Sequence, residues 1–204
     1  DVREAEELCK VAEENNLILM VGHLLHYHNA IVKHKEIVYS KKYGDINYIV
    51  SNRKSHGIYR YFENVLWSFG PHDISLILSL LNAKYENITN MHCSGTGYVN
   101  NNVEDIVNMC FNVKDVYVNI NVEWNSPYKE QKLVIAMEHA LLSFDDVVKD
   151  LKVIENHVID GKANKNSIVN ITFDGETPLH NECKHFIDCC NTGTTPITDG
   201  YEGL

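Results

Sequence analysis

Ala5, Leu8, Cys9 and Ala12 recur three and four residues apart, with Glu4, Glu6, Glu7, Glu13 and Glu14 on the remaining faces. That spacing predicts an amphipathic helix over the first dozen residues. Asn15-Asn16 ends it, and Leu17-Ile18-Leu19-Met20-Val21 follows as a continuous apolar run. Such a run is the pattern of a strand buried on both faces, as in a parallel sheet flanked by helices. The opening therefore reads as the last helix and strand of a doubly wound domain, and the chain as a segment of a longer protein. A second helix is predicted over 29–41, stopped at Tyr43-Gly44-Asp45, then a strand over 46–52. Residues 53–63 follow neither period and read as a loop. Ile74 to Leu81 is strongly apolar and continues a helix that begins near Glu63.

The second half changes period. Val107, Met109, Phe111 and Val113 alternate with polar or small residues, and so do Val116, Val118, Ile120, Val122 and Trp124. Alternation of this kind predicts strands, with Lys114-Asp115 as the tight connection between them. Further strands are predicted at 86–96, 130–138, 140–145, 149–156 and 168–173. A closing helix over 177–192 gathers Leu179, Cys183, Phe186, Ile187 and Cys190 on one apolar face, read as its core-facing stripe. Thr198-Asp199-Gly200 is a turn and helix start. The sum is an α+β arrangement, a mostly antiparallel open sheet of five or six strands with helices on one face. Gly161 to Asn166 has the most flexible composition.

The 204 residues suffice for one substantial core or two small ones, and 44% hydrophobic with 23% charged residues is ordinary globular composition. No apolar run approaches the roughly 18 residues of a membrane-spanning helix. A net charge of −10 argues against a nucleic-acid binder, which needs a basic face. The six cysteines show no disulfide rhythm, and the N-terminus shows no signal-peptide pattern; both point to the cytoplasm.

Several groups of residues carry candidate chemistry. Gly70-Pro71-His72-Asp73 sits before the apolar stretch and places an imidazole near a helix start, where the dipole lowers its pKa and suits a neutral general base. The plainer alternative is that Asp73 caps the helix and His72 packs against it. His23, His26 and His28 leave the apolar strand, where open α/β sheets bind ligands. As a metal set they lack a carboxylate or cysteine close in sequence, and His180, Cys183, His185, Cys189 and Cys190 are explained by helix packing, so no metal site is assigned. Gly95-Thr96-Gly97 opens no helix and makes a poor phosphate cradle. Arg53, Lys54 and Arg60 in the irregular stretch are candidates to meet an anionic substrate, or ordinary surface bases.

Taken together, the motifs resemble the Gfo/Idh/MocA oxidoreductases. The residues that carry the likeness run in order through the chain: Val21-Gly22-His23 with Tyr27, then Glu63 to Trp67 leading into Gly70-Pro71-His72-Asp73-Ile74, Pro127 to Val134, Phe144-Asp145-Asp146, Glu182 to Ile187, and Pro196 to Gly203. Within that family the chain looks most similar to the dehydrogenases acting on the 3-hydroxyl of UDP-N-acetylglucosamine or its uronic acid. The resemblance implies a two-domain α/β parent. Residues 1–22 would be the C-terminal remnant of its dinucleotide-binding Rossmann domain. Residues 23–204 would be a substrate-binding and oligomerisation domain, truncated at its C-terminal helix. It implies NAD or NADP as cofactor, its main binding elements lying outside this chain, with Gly22 and His23 at its edge. It implies His72 as the catalytic proton-transfer residue and Tyr27, Arg53, Asn64 and Trp67 as substrate-binding residues. The implied partners are a small sugar or nucleotide-sugar and a homo-oligomer formed through the open sheet, with no nucleic acid, membrane or metal. Two departures stand out: Ser68 occupies a position where many members carry Asp, and His26-Tyr27-His28-Asn29 replaces the family's Arg-Tyr-Asn-Pro. They admit a second reading, a sugar-binding or assembly module that has lost its chemistry.

Overall fold

The structure, a computed structural model, describes the backbone of residues 1–57, 59–99, 102–159 and 162–204, and the side chains of these apart from 156–166. The flexible stretch expected at 161–166 therefore lies outside the residues described in full. The chain divides into two compact units, residues 1–32 with 174–204, and residues 33–173. The closing helix joins the N-terminal residues in the first unit.

In the first unit, α1 (Val2–Glu14) starts with a capping box in which Asp1 accepts from the Glu4 backbone and Glu4 reaches back. The apolar run 17–21 is not a strand buried on both faces. Only Met20 pairs, with Asp199, and Leu17 is 64% exposed. The described residues supply no neighbouring strands to cover it. The returning chain lies beside it instead: Val21 N–H donates to the Thr198 carbonyl, and the Thr198 hydroxyl donates to the Val21 carbonyl. The short helix α5 (Gly200–Gly203), capped by Asp199, then passes so close that a Cβ at Gly203 would stand 2.4 Å from Val21 Cγ2. Glycine is required there by that approach.

Helix α4 (Pro178–Thr192) packs on the 3-10 turn Leu24–Tyr27. Its expected core stripe is a correction: Leu179, Cys183, Phe186, Ile187 and Cys190 are all exposed, and Glu182 and Cys189 are the buried residues. Hydrogen bonds, not the apolar stripe, set the helix rotation. Asn181 donates to the Tyr27 carbonyl, and His185 accepts from the Ile197 N–H while its ring stands 5.4 Å from that of Tyr27.

The second unit is built on an eight-stranded sheet in the order β2-β3-β4-β1-β5-β6-β7-β8. The strands are β1 (Ile46–His56), β2 (Ile88–Thr96), β3 (Ile106–Val113), β4 (Val116–Glu123), β5 (Asn125–Met137), β6 (Ala140–Asp145), β7 (Asp150–Ile159) and β8 (Lys162–Asn170). Only β1 and β4 run parallel. The sheet exceeds the expected five or six strands because all seven strands from β2 to β8 join one ladder and β1 from the first half inserts between β4 and β5. Its two-sided pairing also extends it to His56, through the polar Arg53, Lys54 and Ser55 that read as loop. Pro127, which cannot donate to a ladder, falls in β5 where the register with β1 shifts.

Alternating residues of β3 and β4 (Val107, Met109, Phe111, Val118, Ile120, Val122) point into the core on one face. Helix α3 (Val65–Leu80) covers that face over β1, β3 and β4. From α2 (Asn29–Tyr39), the fully buried His34 meets Phe144 edge-on at 5.9 Å. Amides line the opposite face: Asn108 donates to Asn121, Asn121 to Asn52 and Asn52 to Glu130, across β3, β4, β1 and β5 in turn. Each donation reinforces the next along the row.

Candidate functional site

Helix α3 positions most of the predicted residues. Asn64 is its N-cap: its side-chain oxygen accepts from the Trp67 N–H at 2.9 Å, and its amide donates to Glu104 Oε2 at 3.1 Å. The Val65 N–H, another group left without a helical partner, donates to the Glu104 carbonyl at 3.0 Å. The helix starts there, so two expectations fall. His72 is not near the helix start but eight positions after the cap, beyond the first turn where the dipole acts. Asp73 does not cap the helix. Pro71 lies inside it, tolerated at the loss of one backbone bond. His72 is half-buried on this helix.

Arg53 has a partner within the protein. Its guanidinium grips Asp73 with two bonds, Nε to Oδ2 and Nη2 to Oδ1, both 3.0 Å, and the Ser51 hydroxyl donates to Oδ1 at 2.9 Å. Burial alone would lower the Arg53 pKa, but the Asp73 charge and hydrogen bonds outweigh it and hold the guanidinium above its ordinary value. Side chains only 16% and 3% exposed leave this pair as a clamp between β1 and α3, with its charge already matched. Arg60 is likewise paired, with Glu63. Both bases thus already carry a carboxylate partner.

Beside the α3 N-terminus lies an open depression of about 480 Å³, within the usual range of ligand sites. Tyr61, Phe62 and Trp67 line it and are 73%, 84% and 69% exposed, with Asn64 and Glu104 between them. Of the predicted substrate residues, Asn64 and Trp67 are brought together here; Arg53 is not part of the lining. The sequence reading missed Glu104, which reaches the cap from the β2–β3 connection. The one signal for it was its place before Asp105, whose buried side chain accepts from the Tyr98 and Val99 N–H groups and folds that connection.

Tyr27 and the pair Gly22, His23 belong to the first unit. The Tyr27 hydroxyl is bonded to Thr198 Oγ1 at 2.9 Å and buried, and desolvation first of all raises its pKa, so it stays protonated. Glu182 Oε1 lies 3.3 Å from where a Gly22 Cβ would stand, and finds no hydrogen-bond partner among the described residues. Burial pushes the Glu182 carboxyl up and the His23 imidazole down. His23 Nε2 stands 3.6 Å from Glu202 Oε2. The Gly22-His23 segment is therefore polar but shifted toward uncharged forms. Gly95-Thr96-Gly97 gives no cradle: a Cβ on Gly95 would stand 2.9 Å from the Ile106 carbonyl and 3.2 Å from Glu104 Cγ, so this glycine serves sheet packing. No group of three or more His, Cys, Asp or Glu among the described residues is arranged to hold a metal ion, and none of the described helices is long and apolar enough to cross a membrane.

No family model matches the chain, and no curated protein matches it in sequence. Solved structures do match in fold. A UDP-N-acetylglucosamine 3-dehydrogenase from Acidithiobacillus ferrooxidans superposes with a TM-score of 0.82 at 18% identity, over 100% of this chain and 62% of its own. An aldose-aldose oxidoreductase from Caulobacter crescentus, complexed with glycerol, gives 0.81 at 13% identity, over 99% and 62%. An oxidoreductase from Agrobacterium radiobacter, in complex with NAD+, L-tartaric acid and magnesium, gives 0.75 at 14% identity, over 100% and 64%. The chain thus spans less than two thirds of the length of these proteins. At such identities the likeness carries the fold, and the fold is the one that the motif resemblance leads one to expect.

Proposed function

We propose that this chain is the substrate-binding part of an NAD(P)-dependent oxidoreductase of the Gfo/Idh/MocA type, which moves a hydride from a sugar hydroxyl carbon to a nicotinamide. The observation that supports the reading is the fold match, over 99–100% of this chain, to 62% of such enzymes. In this reading residues 1–22 close the dinucleotide domain and 23–204 form the substrate domain. NAD or NADP, held mainly by elements outside the chain, meets Gly22 and His23 at its neutral end and supplies the hydride acceptor.

His72 takes the hydroxyl proton as general base while the carbon gives up its hydride. The Arg53–Asp73 clamp, next to His72 in the chain, fixes α3 on β1 and so fixes the imidazole. Tyr27, protonated, donates to Thr198, whose own proton goes to the Val21 carbonyl, so its oxygen is left as an acceptor for a sugar hydroxyl. Trp67 and Asn64 offer a stacking face and an amide. A nucleotide-sugar oxidised at C3 is the finer substrate reading. The amide row on the open sheet face is the surface through which copies of the chain associate, and six free cysteines agree with a reducing cytoplasm. Ser68 at the family's Asp position supports the rival reading of a sugar-binding module without chemistry.

The test is NADH or NADPH formation from a panel of sugars and nucleotide-sugars by the protein in its native full-length form. The expected result is turnover of at least one sugar, with His72→Asn lowering kcat by about 100-fold or more and the isolated 204-residue chain inactive. No turnover with any sugar, or an unaffected His72→Asn variant, overturns the catalytic reading and leaves the binding module.

A further inference from the structure

The depression beside α3 has a charge pattern that narrows its ligand, and the inference deepens the sugar reading above and rests on it. Helix N-termini are ready anion sites, since their first N–H groups lack partners and the dipole favours negative charge. Here that capacity is already used. Asn64 accepts from the Trp67 N–H, the Glu104 carbonyl accepts from Val65, and the Glu104 carboxylate lies at the same end of the helix. The lining holds two carboxylates, Glu104 and Glu63, and no Lys or Arg. Glu63 is matched by Arg60. Glu104 has no cationic partner among the described residues; only one of its oxygens is engaged, by the neutral Asn64 amide. Three exposed aromatic side chains stand around this single unmatched negative charge.

Flat π faces carry negative quadrupoles, so they attract cations as well as the C–H face of a sugar ring. A phosphate or uronate would meet the Glu104 charge with no base to offset it.

We propose that this depression is a subsite for an amino sugar, its ring stacked on Trp67 and the Tyr61-Phe62 pair and its ammonium on the free oxygen of Glu104. A charged sugar acid or a sugar phosphate is excluded from it by the same carboxylate. The subsite thereby selects a sugar that presents an amine to Glu104 over one that presents a carboxylate or phosphate at that position.

Trp67 reports on it directly. It is 69% exposed, whereas Trp124, the other tryptophan of these 204 residues, is 3% exposed, and a Trp67→Phe control separates its signal from that of every other tryptophan. Titrate the full protein by tryptophan fluorescence at about pH 6, below the usual α-amino range, with glucosamine, N-acetylglucosamine, glucuronate and ethanolamine. Glucosamine is expected to bind about 5-fold tighter than N-acetylglucosamine, the size of one solvent-exposed ion pair, and glucuronate weakest. Glu104→Gln, which keeps the shape and an acceptor for Asn64, is expected to level glucosamine and N-acetylglucosamine while leaving Trp124 emission and circular dichroism unchanged. Tyr61→Ala with Phe62→Ala is expected to weaken every sugar and leave the charge preference in place.

Equal binding of glucosamine and N-acetylglucosamine overturns the proposal, as does a preference that survives Glu104→Gln. So does ethanolamine binding as tightly as glucosamine, which would mark a bare ammonium site. Absence of the charge preference alongside NAD(P) reduction by neutral sugars sinks the subsite and leaves the oxidoreductase. The charge preference without NAD(P) reduction by any sugar does the reverse.

Discussion

The Arg53–Asp73 clamp offers the sharpest energetic prediction. Asp73→Ala removes a buried carboxylate that accepts two bonds from Arg53 and one from Ser51. Breaking one side of a buried ion pair costs about 3–5 kcal/mol, because the other charge stays behind without a partner. Arg53 keeps 16% exposure and so recovers some hydration, which places its share near the lower end. The Ser51 hydroxyl, itself buried, adds about 1 kcal/mol if it stays unpaired. The sum for Asp73→Ala is about 4 kcal/mol. Replacing both charges, as Arg53→Met with Asp73→Leu, leaves no stranded ion and should recover at least half of that loss. Equilibrium urea unfolding followed through buried Trp124 reads the stability of the 33–173 unit, and the parent, Arg53→Met, Asp73→Leu and the double variant form a double-mutant cycle with a coupling energy of about 2–3 kcal/mol. An Asp73→Ala cost below about 1 kcal/mol, or a double variant as unstable as the sum of the singles, would refute the clamp and return Arg53 to the pool of available bases.

Three further outcomes follow from the geometry. Asn64→Ala removes the α3 cap and the bond to Glu104, and should lower stability by about 1 kcal/mol in a thermal melt, with Asn64→Asp losing less than Asn64→Ala unless the new charge repels Glu104. Tyr27→Phe leaves Thr198 its bond to the Val21 carbonyl and removes one buried hydroxyl pair, a loss of about 1 kcal/mol; no change in unfolding would mean the hydroxyl is not tied in the folded state. Glu182 has its folded pKa raised by burial above the ordinary 4.5, so the folded state holds its proton more tightly than the unfolded one. That contribution is fully present below 4.5 and lost as pH rises through the folded value. Glu182→Gln should therefore match the parent near pH 4 and be more stable at pH 7, and equal stability at both would refute the shift.

Residues with a strong period announced their elements. The alternation from Val107 to Trp124 and the three-four spacing from Ala5 to Ala12 gave the right structure, because side-chain burial there follows the local backbone period alone. Thr177 before Pro178, and Asp199 before Gly200, marked real helix starts because a cap is a bond across three residues. Trp67 and Asn64 were legible as neighbours for the same reason, lying within one turn of α3.

Contacts between distant residues were not legible. Arg53 looked like a free base until Asp73 faced it across β1 and α3, and Glu104 looked like a surface acid until it reached Asn64 from another connection. The apolar stripe of α4 pointed the wrong way because Asn181 and His185 found backbone partners brought by the return of the chain at Tyr27 and Ile197. The sequence by itself determined where the backbone periods begin and end, since those depend on a few neighbouring residues. Only the tertiary structure decided which charges cancel, where β1 enters the sheet and which carboxylate is left unmatched beside exposed aromatics. Those outcomes rest on pairings between residues tens of positions apart, and the energy of a buried charge is set by the partner it meets in space.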